Sequence, residues 1–232
     1  IGSLVWGLVS LATGGRTIAE EALATAVRIA RRISPAALGT DERLDLEGGA
    51  AGAALGLLAV SQATGDEQFL IAARAAGLRL LERRDSRGAW PGVDGVARSG
   101  FAHGASGIAR SLAALAKALD EPRFAAAAAA GFAFEHSELD PARGNWPVVA
   151  TDPRLGEHRP TWMVAWCHGA PGIALARAVA AEVAGDTGEH DLEVAVATTM
   201  AAGLTFRDHL CCGSAGRIAV LDALGRRRHR AD

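Results

Sequence analysis

Cys167 and His168 stand side by side directly before Gly169-Ala170-Pro171-Gly172, and the following run Ile173-Ala174-Leu175-Ala176-Arg177-Ala178-Val179-Ala180 reads as a helix. A Gly-x-x-Gly spacing lets the backbone turn tightly and then pack closely, so the thiol and the imidazole lie in the turn that feeds the helix. Unpaired amides and the positive end of the helix dipole favour a thiolate there over a thiol. Cys211 and Cys212 precede Gly213-Ser214-Ala215-Gly216 in the same way. Three cysteines from two such turns form a candidate zinc site, with a fourth position open to water or substrate as catalytic zinc sites keep it. The alternative reading of the same residues is three small buried hydrophobes.

The elements that position these residues repeat. Asp45-Leu46-Glu47-Gly48-Gly49-Ala50-Ala51-Gly52 opens the run 53–60, and Gly100-Phe101-Ala102-His103-Gly104-Ala105-Ser106-Gly107 opens the run 108–119. Cys211-Cys212-Gly213 opens 217–224, and Ile1-Gly2-Ser3-Leu4-Val5-Trp6 has the look of the tail of a fifth such turn. Between them, Ile18 to Ile33, Glu67 to Arg83, Pro122 to His136 and His190 to Phe206 carry charges on one side at helical spacing. The first helix of each unit is apolar almost all round and the second is amphipathic, which predicts helical hairpins arranged as an inner and an outer layer. Long loops are expected at 85–99 and 138–159, and strand patterns are weak. If all inner helices run the same way, the turns gather at one end. They then bring together Gly48, His103, His168 and Cys212, and one residue earlier Glu47, Ala102, Cys167 and Cys211.

The 232 residues are half hydrophobic with a formal charge of −2, enough for a substantial core and without the basic surplus that nucleic acid or an anionic membrane would attract. The run Arg226-Arg227-Arg228-His229-Arg230 reads as a solvated helix end. No apolar stretch approaches the ~18 residues of a membrane helix. Three cysteines, two of them adjacent, argue against a disulfide framework and for a reducing compartment. The sequence opens at Ile1, and we expect it to be a piece of something longer. Paired-carboxylate glycoside chemistry is set aside, because Asp45 and Glu47 come from a single turn while thiols occupy the others.

The order Asp-x-x-Gly-Gly, Gly-Phe-Ala-His-Gly-x-x-Gly-Ile, Trp-Cys-His-Gly-Ala-Pro-Gly and His-Leu-Cys-Cys-Gly resembles the LanC-like lanthionine cyclases. Within them it is most similar to the C-terminal cyclase domain of the bifunctional class II lanthipeptide synthetases, often called LanM. The resemblance implies an all-α fold, an α/α toroid of seven helical hairpins. Residues 1–232 would form one cyclase domain supplying about five of the seven, truncated at both ends. It implies Zn2+ as cofactor, with Cys167 and Cys211 as ligands and Cys212 as the third, where many members have His and one branch has Cys. Three thiolates make zinc a weaker Lewis acid and its bound sulfur a stronger nucleophile, hence a fast and less discriminating cyclase.

The implied reaction is Michael addition of a peptide Cys thiol to dehydroalanine or dehydrobutyrine, giving lanthionine or methyllanthionine rings. The implied partners are a dehydrated precursor peptide and a dehydratase domain fused in the same cytoplasmic protein, with no nucleic acid and no membrane span. His103 is the implied catalytic acid or base, against a histidine that merely bonds a turn carbonyl. Asp45 would orient it or the substrate, against a simple helix cap near Gly48. His168 and Trp166 would touch substrate, against rim packing for His168 and a pocket wall for Trp166. Met163 stands where some members carry an Arg thought to assist the enolate, so positive charge must come from elsewhere. His209 is either a support for a ligand or solvent-facing, and the remaining histidines, His136, His158, His190 and His229, have no assigned role. Two rival readings remain: a zinc-dependent toroid that binds a peptide thiol without turnover, and a structural zinc that pins neighbouring hairpins.

Overall fold

The computed structural model describes residues 1–14, 19–151, 158–204 and 207–231. Among them the inner helices are α1 (Gly2–Thr13), α4 (Ala50–Thr64), α6 (Ala105–Leu119), α8 (Ala170–Val179) and α10 (Ser214–Ala231). The outer helices are α2 (Ala19–Ala30), α5 (Glu67–Arg83), α7 (Pro122–Ser137) and α9 (Ala181–Ala201), with a short α3 (Pro35–Thr40) between α2 and α4. Each outer helix packs on the inner helix before it, and each inner helix packs on the next inner one, α1 to α4 to α6 to α8 to α10. The result is four helical hairpins and a fifth inner helix in two layers of an α/α toroid.

Local sequence explains the boundaries. The α4 helix is buried from Ala50 to Leu58 because Ala, Gly and Leu occupy every side of it. It ends at Gly65, whose φ of 71° only glycine adopts cheaply, and α5 starts with the Asp66 carboxylate accepting from the Gln68 amide at 3.0 Å. Between α6 and α7, Asp120 takes a left-handed turn and Pro122 occupies the first turn of the next helix. The core is built of alanines with Leu57, Leu80, Leu112, Leu115, Phe124 and Phe132 between them. Small residues let the two layers approach closely, at the expense of apolar area per residue.

Several expectations change. The outer helix expected from His190 begins at Ala181, kinked at Gly185, and the one expected to reach Ile33 stops at Ala30. Ile18 and Phe206, the other expected ends of those two helices, lie outside the described residues. Ser34 and Pro35 start α3, a cap-plus-proline signal that the apolar-periodicity reading passed over. The loop expected at 138–159 contains β1 (Pro147–Thr151), antiparallel to β2 (His158–Trp162) with Pro147 opposite Trp162. The run Arg226 to Arg230 lies on α10, where Arg226 pairs with Asp222 at 2.8 Å and Arg227 bonds the Ala178 carbonyl; the side chains of Arg228, His229 and Arg230 lie outside the described residues. Among the described residues no helix is long and apolar enough to cross a membrane.

Beneath the turns lies an ionic cluster that sequence periodicity does not announce. Arg177 of α8, 1% exposed, pairs with Glu135 of α7 at 3.0 Å and with Asp191 of α9 at 2.8 Å. Ser106 of α6 donates to Glu135, and His136 meets Asp191 at 2.7 Å. Burial pushes the Glu135 carboxyl pKa up, with the Arg177 charge opposing. Removing the guanidinium from this buried cluster leaves Glu135 and Asp191 without their shared partner, a loss of about 3–5 kcal/mol. Arg177→Met is therefore expected to lower unfolding free energy by that order in urea denaturation, and a loss below about 1 kcal/mol would contradict the assignment.

Candidate functional site

Three of the turns are joined by backbone rungs. The Leu46 and Glu47 amides donate to the Ala102 carbonyl at 3.0 and 3.2 Å, and the Phe101 and Ala102 amides donate to the Cys167 carbonyl at 3.1 and 3.0 Å. Ser3 of α1 adds its hydroxyl to the carbonyls of Leu46 and Glu47 at 2.6 and 3.0 Å. The second glycine of every turn is required by contact: a Cβ at Gly52, Gly107, Gly172 or Gly216 would collide with the carbonyl oxygen six residues earlier. That repeated contact puts each turn in the same pose above its helix.

In this frame the three thiols meet. The Cys167, Cys211 and Cys212 sulfurs lie within 4.8 Å of one another, with Cys167 to Cys212 at 3.6 Å and Cys211 to Cys212 at 3.2 Å. Cys167 is buried with Ala102 and Ala165, Cys212 is half-buried and Cys211 is exposed. Tetrahedral zinc with Zn–S bonds of ~2.3 Å needs sulfurs about 3.8 Å apart, a spacing that the Cys167–Cys212 pair nearly has and that Cys211 reaches by a small opening from Cys212, so the donor set could hold that ion. Against the helix start, which favours a thiolate, stands the crowding of the sulfurs. Burial first, then the neighbouring sulfurs, push the Cys167 pKa far above that of a free thiol, and burial and Cys212 push Cys211 up as well. Three adjacent negative charges outweigh one helix dipole; a cation among them reverses the balance.

His103 stands exposed in the neighbouring turn, its Nδ1 2.9 Å from Asp45 and its Nε2 2.7 Å from Glu47. The other oxygen of Asp45 accepts from the Gly48 amide at 2.8 Å, so Asp45 both caps its turn and orients the imidazole. The Asp45 bond, against partial burial, raises the His103 pKa; for Asp45, burial opposes ionisation but the His103 and Gly48 bonds leave the pKa lowered. The His168 ring lies 5.5 Å from that of His103, and burial, then His103, lower its pKa. Trp166 packs edge-on against Phe101 at 5.4 Å, as a wall. His209 turns its Nδ1 to accept from the Cys212 amide at 3.2 Å and so braces the Cys212 turn.

Three residues escaped the sequence reading. Glu47 was noted only by position, although it occupies the register of Cys167 and Cys211. Arg98, held by Asp94 and by the Val149 carbonyl at 3.1 Å, bears electrostatically on both His103 and His168. It stands five residues before His103, as Met163 stands five before His168. Asn145 repairs an irregular turn. In three turns the residue at 43, 98 or 207 accepts directly from the amide seven residues on, but at the fourth Asn145 intervenes, accepting from the Ala170 amide at 2.9 Å and donating to the Met163 carbonyl at 3.1 Å.

Two layers of helical hairpins with a thiol cluster and a histidine at the converging turns define an α/α toroid with its chemistry at one end. A family model described as "Lanthionine synthetase C-like protein" matches residues 6–228, and the chain belongs to that family. Among solved structures, nisin cyclase is similar in fold, with a TM-score of 0.51 and 17% identity over 97% of this chain and 75% of that one. No curated protein matches the chain.

The His103–Asp45 contact has a defined pH window. Its contribution from His103 is fully present below the ordinary value of 6.5 and fades as pH rises through the higher folded value; that from Asp45 is present above 3.8 and fades as pH falls through its lowered folded value. NMR titration should find the His103 ring protonating above pH 6.5, and Asp45→Asn should bring it back toward that value. An unmoved midpoint in the variant would show that Asp45 does not hold the ring.

Proposed function

We propose that this chain is a zinc-dependent lanthionine cyclase domain of the class II kind, closing thioether rings in a dehydrated precursor peptide. The observation that carries the reading is the three-sulfur cluster beside a histidine bonded to an aspartate, at the end where the inner helices begin. Cys167, Cys211 and Cys212 would hold the ion, leaving one position for the peptide cysteine. Zinc bound there supplies one thing: it keeps a peptide thiol ionised at neutral pH.

The remaining work falls to side chains. Trp166 and Phe101 wall the pocket beside the sulfurs and exclude water from one side of the incoming peptide. The sulfur adds to the β-carbon of dehydroalanine or dehydrobutyrine, and negative charge develops on the adjacent carbonyl as an enolate. Met163 brings no charge to this step. His103, kept cationic by Asp45, supplies positive charge near the developing oxyanion and then the proton that the α-carbon takes up. Arg98 adds to the positive field around both histidines. The substrate's dehydro residues come from a dehydratase, in class II enzymes part of the same cytoplasmic polypeptide.

The test combines metal content with turnover. The parent is expected to retain about one zinc per folded chain and to consume the free thiol of a dehydrated peptide, while Cys167→Ala and Cys212→Ala lose the metal and the activity. A folded parent without zinc, or a Cys212→Ala variant that keeps its zinc in full, would overturn the three-thiolate reading. A parent that keeps zinc and peptide yet leaves the thiol free would select the binding protein instead.

A further inference from the structure

We propose that Glu47 is a further acid–base residue of this site, carrying a proton between the substrate thiol and His103. The proposal rests on the cyclase reading and adds to it a residue outside the resemblance drawn from the sequence motifs.

The geometry is specific. His103 has a carboxylate at each ring nitrogen, Asp45 at Nδ1 and Glu47 at Nε2, at 2.9 and 2.7 Å. A neutral imidazole has one N–H and one lone pair, so it can satisfy only one of two carboxylates; both contacts are favourable only when the ring carries two protons. The two carboxylates differ in kind. Asp45 is tied down by the Gly48 amide, whereas the Glu47 side chain is 62% exposed. Its backbone, by contrast, is fixed on both sides, by Ser3 at the carbonyl and by Ala102 at the amide. Glu47 is thus a mobile carboxylate on a fixed stem.

The register gives that stem the place of a cysteine. Glu47 occupies in its turn the position that Cys167 and Cys211 occupy in theirs, and the turns share one pose above their helices. The charged and titratable groups around the pair include Asp45 of the same turn, Arg98 ahead of α6, His168 of the α8 turn and Cys211 of the α10 turn. Glu47 is the member of this set that stands in the register of the thiols and bonds His103 at Nε2.

The overall addition neither gains nor loses a proton, so a proton released at one end of the site must be consumed at the other. The S–H bond of the peptide cysteine breaks and its proton goes to a Glu47 oxygen. The sulfur forms its bond to the β-carbon, and the π pair moves onto the α-carbon and its carbonyl as the enolate. The α-carbon then takes the Nε2 proton of His103, and Glu47 returns its proton to that nitrogen. No oxidant, reductant or co-reactant is needed.

Glu47→Gln keeps size and polarity but accepts no proton. In the zinc-loaded protein acting on a dehydrated peptide, kcat is expected to fall about tenfold to a hundredfold, less than the full worth of an acid–base residue because water reaches this position, with KM within about twofold. The Glu47→Asp variant should recover part of the rate, and the His103 ring followed by NMR should protonate at lower pH in Glu47→Gln than in the parent. A Glu47→Gln protein that cyclises at the parent's rate with an unmoved His103 titration overturns the relay while leaving the cyclase intact. A lowered NMR midpoint with no change in kcat also overturns it, reducing Glu47 to a positioning residue. A parent that leaves the peptide uncyclised fails the cyclase reading itself, and the relay with it.

Discussion

Everything at the reactive end depends on one contact, the carbonyl oxygen that lies against the second glycine of each turn. Because no Cβ stands there, the chain entering an inner helix can fold back over its first turn, with the residues at 47, 102, 167 and 211 raised in equivalent places. The rungs from Leu46 and Glu47 to Ala102, and from Phe101 and Ala102 to Cys167, then lock three of these turns side by side. Amides at helix starts need acceptors, and here neighbouring turns supply them, so satisfying the backbone and assembling the site are the same event. Residues distant in sequence become neighbours without any side chain having to reach far.

The electrostatics of the two halves of the site are opposite in sign. On one side, burial and the neighbouring sulfurs raise the pKa of Cys167 and of Cys211. On the other, His103 between two carboxylates holds its proton, with Arg98 nearby limiting how far the pKa rises. In the proposed cyclase, a zinc ion among three thiolates would carry a net negative charge, and an imidazolium beside it would offset that charge. Such a pairing would let an anionic nucleophile and a cationic acid coexist in one pocket, where two groups of matched pKa in water would neutralise each other.

The repeat, the two layers and the gathering of the turns were legible in the sequence, because Gly-x-x-Gly before an apolar run is a local signal with a local cause. The thiol cluster was legible for the same reason, since Cys167, Cys211 and Cys212 occupy equivalent places in turns that must adjoin. What was not legible depended on tertiary partners. The antiparallel pair of β1 and β2 forms from a stretch without strong alternation, and the chain around the start of β1 is pinned, Asn145 to the α8 turn, Trp146 to the Glu135 carbonyl at 2.8 Å, and Val149 to Arg98. The raised pKa of Cys167 was not legible either, because it comes from burial and from sulfurs of another turn. Arg177, Glu135 and Asp191 look like ordinary helix charges until three helices close around them.

That buried cluster also explains why the catalytic turn holds its pose. Glu135 accepts from the Gly100 amide at 2.7 Å, and Gly100 has a φ of 113°, a conformation closed to other residues. Any side chain at Gly100 would also crowd the Cys167 carbonyl and the His168 ring, which is where the rungs from Phe101 and Ala102 are made. The carboxylate below therefore fixes the start of the turn, the rungs fix its middle, and Asp45 fixes the imidazole of His103 at its end. Glu135 is held in turn by Arg177 from α8, the helix whose own first turn follows Cys167. The turns that carry His103 and Cys167 are thus tied twice, once by backbone at the surface and once by charge in the core. A displacement of α8 moves both together, which preserves their separation better than either tie could alone.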